Sequence, residues 1–205
     1  MHSISSCYVG YDRLFVYPHS SDDCLMLNLD ANSGTYSIEY LAKTDQARVI
    51  PCEVNVNDKF VFLIGGLLYP TNQALATVSR YEIATNSWSK GPQLNIARCN
   101  SSACFLGGNI YVFGGQNRQY QMTNSIEKLR VASLNSVGGK ATVWILIKPA
   151  RAALLPRASP AFYPINSNEI VILGGHIADN ICSDEVILFD IQTEKCKRIG
   201  QCIIA

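Results

Sequence analysis

Eight cysteines and three histidines are the residues of this 205-residue chain with the most conspicuous chemistry. Cys7, Cys24, Cys52, Cys99, Cys104, Cys182, Cys196 and Cys202 could build a disulfide framework or hold zinc, and His2, His19 and His176 could ligate a metal. Their spacing favours neither. No two cysteines stand as C-x-x-C, the closest pairs being Cys99 with Cys104 and Cys196 with Cys202, whereas structural zinc sites draw on close Cys or His pairs. The start, Met-His-Ser-Ile-Ser-Ser-Cys, lacks a basic stretch followed by an apolar one, so a cytoplasmic, reducing location and free thiols are expected. Cys52, Cys104 and Cys182, set among small or apolar neighbours, are expected to act as compact buried hydrophobes. The sequon Asn100-Ser101-Ser102 lies at an expected strand start and means nothing in a cytoplasmic protein. Phosphate-cradling, zinc-protease and nucleophile-elbow patterns are absent, and Asp22-Asp23 reads as a solvated turn.

Composition bounds what could position such groups. Seventeen Lys and Arg against sixteen Asp and Glu leave a formal charge of +1, which argues against a nucleic-acid or anionic-membrane footprint. With 48% hydrophobic and 16% charged residues the chain can bury a core, and no apolar run approaches the roughly 20 residues that span a bilayer. No linker-like stretch divides it, so one domain over residues 1–205 is expected.

The chain repeats itself. Lys59-Phe60-Val61-Phe62-Leu63-Ile64-Gly65-Gly66 recurs as Asn109-Ile110-Tyr111-Val112-Phe113-Gly114-Gly115 and as Glu169-Ile170-Val171-Ile172-Leu173-Gly174-Gly175. Each is a β-branched or aromatic run closed by a glycine pair, and Arg48, Arg98 and Arg157 precede the three pairs at nearly constant distance. Four strands per unit follow from short apolar runs bounded by Gly, Asn and Asp, without a sustained helical period. In the third unit these are Cys99 to Leu106, Ile110 to Phe113, Ser125 to Val131 and a strand around Trp144. The glycine pairs are expected where a neighbouring segment comes too close for a side chain. Trp88, after the turn Ala84-Thr85-Asn86-Ser87, is expected to be largely buried between neighbouring sheets.

These residues resemble the kelch repeat, whose double glycine is followed by a spaced Tyr and Trp and which folds as one blade of a β-propeller. Unit two (48–97) has Gly65-Gly66, Tyr81, Asn86 and Trp88. Unit three (98–156) keeps Gly114-Gly115 and Trp144 around an insertion near Ala132 to Thr142, and unit four (157–205) has Cys196 where tryptophan is expected. Unit one (1–47) is degenerate, with Pro18-His19 in place of the glycine pair. The fold expected is all-β, a kelch-type β-propeller or partial propeller of about four four-stranded antiparallel blades. Residues 200–205 are expected either to pair with the first blade near Ser3 to Val9 or to lie against a further segment or second chain.

The resemblance implies a noncatalytic protein-interaction module, a scaffold or adaptor subunit of a larger assembly, with cytoplasmic and cytoskeletal settings both open. It implies protein partners, no cofactor, no metal, no nucleic acid and no membrane. An adaptor role in ubiquitin ligation would need a BTB-type domain outside these residues. In the family one loop face carries partners, which here points to Tyr69, Asn100, Gln116, Arg118, Tyr120 and His176; Tyr and Arg are the types enriched among binding anchors. The three repeat arginines are expected to bond backbone carbonyls between blades. The alternative is a propeller enzyme similar to the galactose-oxidase copper type, which needs two histidines and two tyrosines at one metal, and the scattered histidines do not supply them.

Overall fold

The computed structural model describes residues 4–135, 142–149, 154–178 and 181–202. The first sheet runs β1 (Ile4–Val9), β2 (Arg13–Pro18), β3 (Leu25–Asp30), β4 (Thr35–Tyr40) in sequence order, all antiparallel. Short β5 (Arg48–Val49) leads into the second, built of β6 (Cys52–Val56) and β7 (Phe60–Ile64), then β10 (Val78–Glu82) and β11 (Ser87–Lys90). Between them β8 (Leu67–Leu68) and β9 (Gln73–Ala74) form a hairpin that pairs with β5. The third sheet comprises β12 (Ser102–Leu106), β13 (Asn109–Phe113), β14 (Ile126–Arg130) and β15 (Ile145–Ile147), with a 3₁₀ turn at Val131–Asn135. The fourth comprises β16 (Ala161–Pro164), β17 (Glu169–Leu173), β20 (Glu185–Asp190) and β21 (Lys195–Gln201), with a small β18 (His176–Ala178) and β19 (Ile181–Cys182) hairpin. The described residues are thus all-β apart from the 3₁₀ turn, with four four-stranded antiparallel sheets, as the repeat pattern predicts, and two smaller ones.

Alternation along each second strand explains the stacking. Phe15 and Tyr17 of β2 point one way and Leu14 and Val16 the other, as successive strand residues must. Phe15, Tyr17 and Met26 pack against Val61, Leu63 and Tyr81 of the second sheet. Phe62 and Ile64 in turn meet Ile110, Val112 and Trp144 of the third, while Tyr111 and Phe113 meet Ile170, Ile172 and Phe189 of the fourth. The core is therefore three layers, one between each consecutive pair of sheets, and the first strands β1, β6, β12 and β16 are neighbours in that order.

The glycine pairs sit where backbone crosses backbone. A Cβ on Gly65 would lie 2.3 Å from the carbonyl oxygen of Arg98 in the next unit, and one on Gly114 2.5 Å from that of Arg157. The second glycine donates its N–H to the same carbonyl, Gly66 to Arg98 at 2.8 Å and Gly115 to Arg157 at 2.8 Å. In unit one β2 continues through Pro18, and Ser20, at φ 66°, donates to the Arg48 carbonyl at 3.1 Å. The substitute for the second glycine is thus one residue later than the alignment with Pro18-His19 predicts. Among the described residues Gly175 makes no such link.

Three further expectations need correction. Trp88 is half-buried, because it lies on the outermost strand of its sheet; it does sit between sheets, 5.1 Å from the Tyr81 ring and 6.3 Å from Phe15, its indole N–H donating to the Ala42 carbonyl at 2.7 Å. Cys182 is exposed, since it belongs to a two-stranded hairpin outside the stacked sheets; Cys52 and Cys104 are buried. All eight cysteines are free. Gly200 and Gln201 pair with Val186 and Glu185 as part of the fourth sheet's own outer strand, so they do not clasp the first blade. Ser3 and residues 203–205 lie outside the described residues.

Candidate functional site

The three repeat arginines, each fully buried, organise the loop face from beneath. Arg98 donates to the Gly114 carbonyl at 2.8 Å, to the Ser125 hydroxyl at 2.9 Å and to Glu127 at 2.7 Å. Arg157 repeats the pattern on the Gly174 carbonyl (3.0 Å), Ser183 (3.2 Å) and Glu185 (2.8 Å). Arg48 bonds the Gly65 carbonyl (3.1 Å) and the Ser79 hydroxyl (2.8 Å). The terminal guanidinium nitrogens of Arg98 and Arg157 therefore bond within their own units, while Nε of each donates to a carbonyl two residues back, Ile96 and Leu155, and the arginine's own main-chain carbonyl reaches the glycine pair of the unit before it. Glu127, itself fully buried, also accepts the N–H groups of Asn95 (2.7 Å) and Ile96 (3.1 Å) and the Asn95 amide (2.9 Å), which satisfies a charge that burial would otherwise penalise. These glutamates were missed in the sequence, though a signal exists: Ser125-Ile126-Glu127 and Ser183-Asp184-Glu185 share Ser-x-Glu at the start of the third strand, where unit two has Thr77-Val78-Ser79.

Above this layer the loops bring three of the six expected partner residues together. Asn100, Gln116 and His176 line one cleft of about 210 Å³ with Met122 and Ser159. Asn100 adopts φ 52°, and its amide donates to the Gln116 side chain at 3.4 Å. Gln116 exchanges main-chain bonds with Cys99 (2.9 and 3.0 Å), and His176 does the same with Ala158 (2.8 and 2.9 Å), so neighbouring units fix the cleft's walls. His176 also places Nδ1 3.5 Å from the Cys182 sulfur. The side chains of Asn100, Gln116 and His176 give the cleft hydrogen-bond donors and acceptors.

Arg118 lines a separate hollow of about 430 Å³ beside Asn95, Ile96 and Asn117. Tyr69 and Tyr120 line neither and stand 50% and 63% exposed at loop tips, Tyr120 at φ 58°. His19 is apart from all of them, buried in unit one against Ser5 at 3.1 Å, and burial holds its pKa below the ordinary value. Among the described residues no three of His, Cys, Asp and Glu are grouped as ligands of a metal would be. Asp22 and Asp23 hold Lys43 at 3.1 and 3.0 Å on the surface, a solvated turn as expected.

Comparison with known proteins finds a family motif within one of the repeats. The kelch motif matches residues 97–131, the heart of unit three. A kelch repeat and BTB domain-containing protein 1 of ectromelia virus (strain Moscow) is 26% identical over 120 residues, covering 58% of this chain and 20% of that protein. Kelch repeat protein M-T9 of myxoma virus (strain Lausanne) is 36% identical over 69 residues, 33% of this chain and 13% of the relative. The matches thus span a fifth or less of these relatives. Among solved structures, that of YjhT superposes on the full chain with a TM-score of 0.80 at 14% identity, and the match covers 66% of the YjhT chain.

Proposed function

Given a chain built of kelch repeats, we propose that it is a noncatalytic protein-interaction module, acting as a scaffold or adaptor subunit of a larger assembly. The observation that carries this reading is the uncovered face of the first sheet. Across its four strands Tyr8, Leu14, Leu27 and Ile38 are aligned partners, and Val16, Leu25 and Tyr40 form a second row on the same face. Tyr8, Ile38 and Tyr40 are 67%, 54% and 79% exposed. In units two to four the equivalent positions Val61, Leu63, Ile110, Val112, Ile170 and Ile172 are completely buried by the preceding sheet. A contiguous apolar face of this kind marks an interaction surface. The occupant that fits is more of the same: the third of YjhT outside the match corresponds to about half this chain's length, room for two further units. The polar loop cleft is then free for another partner, and a cytoplasmic setting goes with this role.

Solution mass together with cross-linking mass spectrometry of the full chain isolated from cells tests the proposal. The expected result is a stoichiometric protein partner cross-linked to the first sheet or to the loops bearing Arg118 and Tyr120. A monomer without any partner, or one whose copper content supports turnover, would overturn it.

A further inference from the structure

The third-strand position that holds a glutamate in units three and four holds Ser79 in unit two, and that difference leaves a polar cavity. Arg98 and Arg157 each close an ion pair, with Glu127 at 2.7 Å and Glu185 at 2.8 Å. Among the described residues Arg48, equally buried, has only neutral direct acceptors: the carbonyls of Leu63, Gly65 and Thr77, the Ser79 hydroxyl and the Gln46 amide oxygen. Its Nε–H is buried without a partner among the described residues. The same group of Arg98 donates to the Ile96 carbonyl at 3.4 Å, and that of Arg157 to the Leu155 carbonyl at 3.2 Å.

Beside Arg48 lies a cavity of about 240 Å³. Arg48 and Ser79 form its buried floor, and exposed Asp45, Lys90 and Gln93 surround its mouth. Around Arg98 the corresponding place is filled by the Glu127 carboxylate, which takes main-chain N–H groups three and two residues ahead of the arginine, those of Asn95 and Ile96. Asp45 and Gln46 occupy these positions ahead of Arg48. Asp45 does not replace the missing glutamate. Its carboxylate accepts the Ser79 hydroxyl at 3.3 Å and so stands one hydroxyl away from the guanidinium. With Arg48 and Lys90 against Asp45 the lining has a net charge of +1.

We propose that the cavity beside Arg48 is a carboxylate-binding site, in which an external carboxylate takes the place that Glu127 and Glu185 fill from within in the neighbouring units. A carboxylate matches the planar donor fork of arginine, and the other two units show that this setting accepts one at short distance. The carboxylate can come from a small free acid or from an Asp or Glu side chain of a protein partner. Asp45, Lys90 and Gln93 at the mouth are all polar, which favours a polar or charged group over an apolar one.

The test follows the arginine side-chain N–H resonances of the full chain by nitrogen-15 NMR during titration with sodium acetate, against sodium chloride at equal ionic strength. The Arg48 resonance should move saturably with acetate, while those of Arg98 and Arg157, already paired, stay in place and report that the fold is intact. Ser79→Glu, which restores the internal carboxylate, should abolish the acetate response. Acetyl-Gly-Glu-Gly-amide should reproduce the shift, and its Gln counterpart should not. Half-saturation by the Glu peptide at a concentration at least tenfold below that of acetate assigns the site to an acidic side chain of a partner; an equal or higher concentration assigns it to a free small acid. An acetate response no larger than that to chloride, or one that persists in Ser79→Glu, would overturn the proposal, and the wild-type titration decides this even if the variant fails to fold.

Discussion

Glu127 and Glu53 are both acidic residues near a repeat arginine, and they should behave in opposite ways. Glu127→Ala strands the Arg98 guanidinium in a fully buried place and should cost about 3–5 kcal/mol by urea unfolding. Glu185→Ala should cost less, because that carboxylate keeps 21% of its surface in water. Glu53, whose side chain accepts the Ser5 hydroxyl, is pushed up to about 7 from an ordinary 4.5, mainly by burial. Between those two values the folded chain keeps a proton that the unfolded chain has lost, so stability falls as pH rises through that window, by up to about 3 kcal/mol, and falls no further above it. Glu53→Gln should flatten the slope between pH 5 and 7 and raise stability at pH 8, as denaturant midpoints at several pH values would show. The arginines were legible in the sequence because they recur at fixed distance from a glycine pair. Their glutamates recur too, but two of three units is a weaker signal, and what separates Glu127 from Glu53 is three-dimensional: one is ringed by donors and the other is not.

Strands and turns were the most legible part of the sequence, since the apolar alternation and the glycine pairs act locally. The price of each glycine can be separated at this scale. Gly65→Ala meets both a positive φ and the Arg98 carbonyl at 2.3 Å, so strain and overpacking together should cost about 2–5 kcal/mol. Gly34 has φ 67° and nothing within 4 Å of an added Cβ, so Gly34→Ala should cost only about 1 kcal/mol. Thermal and urea unfolding of the two variants side by side would decide whether the close approach is what the pair is for. The two tryptophans divide similarly. Trp144, 3% exposed in the layer between the second and third sheets, should cost about 3–5 kcal/mol when changed to alanine, and half-buried Trp88 about half as much. Sequence pattern placed Trp88 between sheets correctly but could not tell an outer strand from an inner one, because that depends on which strand the neighbouring unit covers. The cleft that joins Asn100, Gln116 and His176 was hidden for the same reason, as its walls come from different units.

At the scale of the molecule, the first sheet's uncovered face should bind the dye ANS. Leu27→Arg together with Ile38→Arg should lower that fluorescence severalfold while leaving the urea midpoint nearly unchanged, since neither side chain packs in the three core layers. A large loss of stability in this double variant would mean that the face is covered within the chain. Sequence reading gave four units but not their closure, because closure is set by the angle between sheets and no residue pattern encodes it locally. One feature of the stack orders those units in time. Each link made by an arginine carbonyl runs the same way, to an N–H of the unit before it, and among the described residues Gly175 receives no such link. The β7 and β13 strands, flanked by sheets on both sides, should therefore be the last to trade their amide hydrogens for deuterium, whereas β2 and β17 should open early and independently of each other. A protein that docks after the fourth unit should slow β17 without touching β2, so the exchange pattern alone would tell from which end the assembly is being completed.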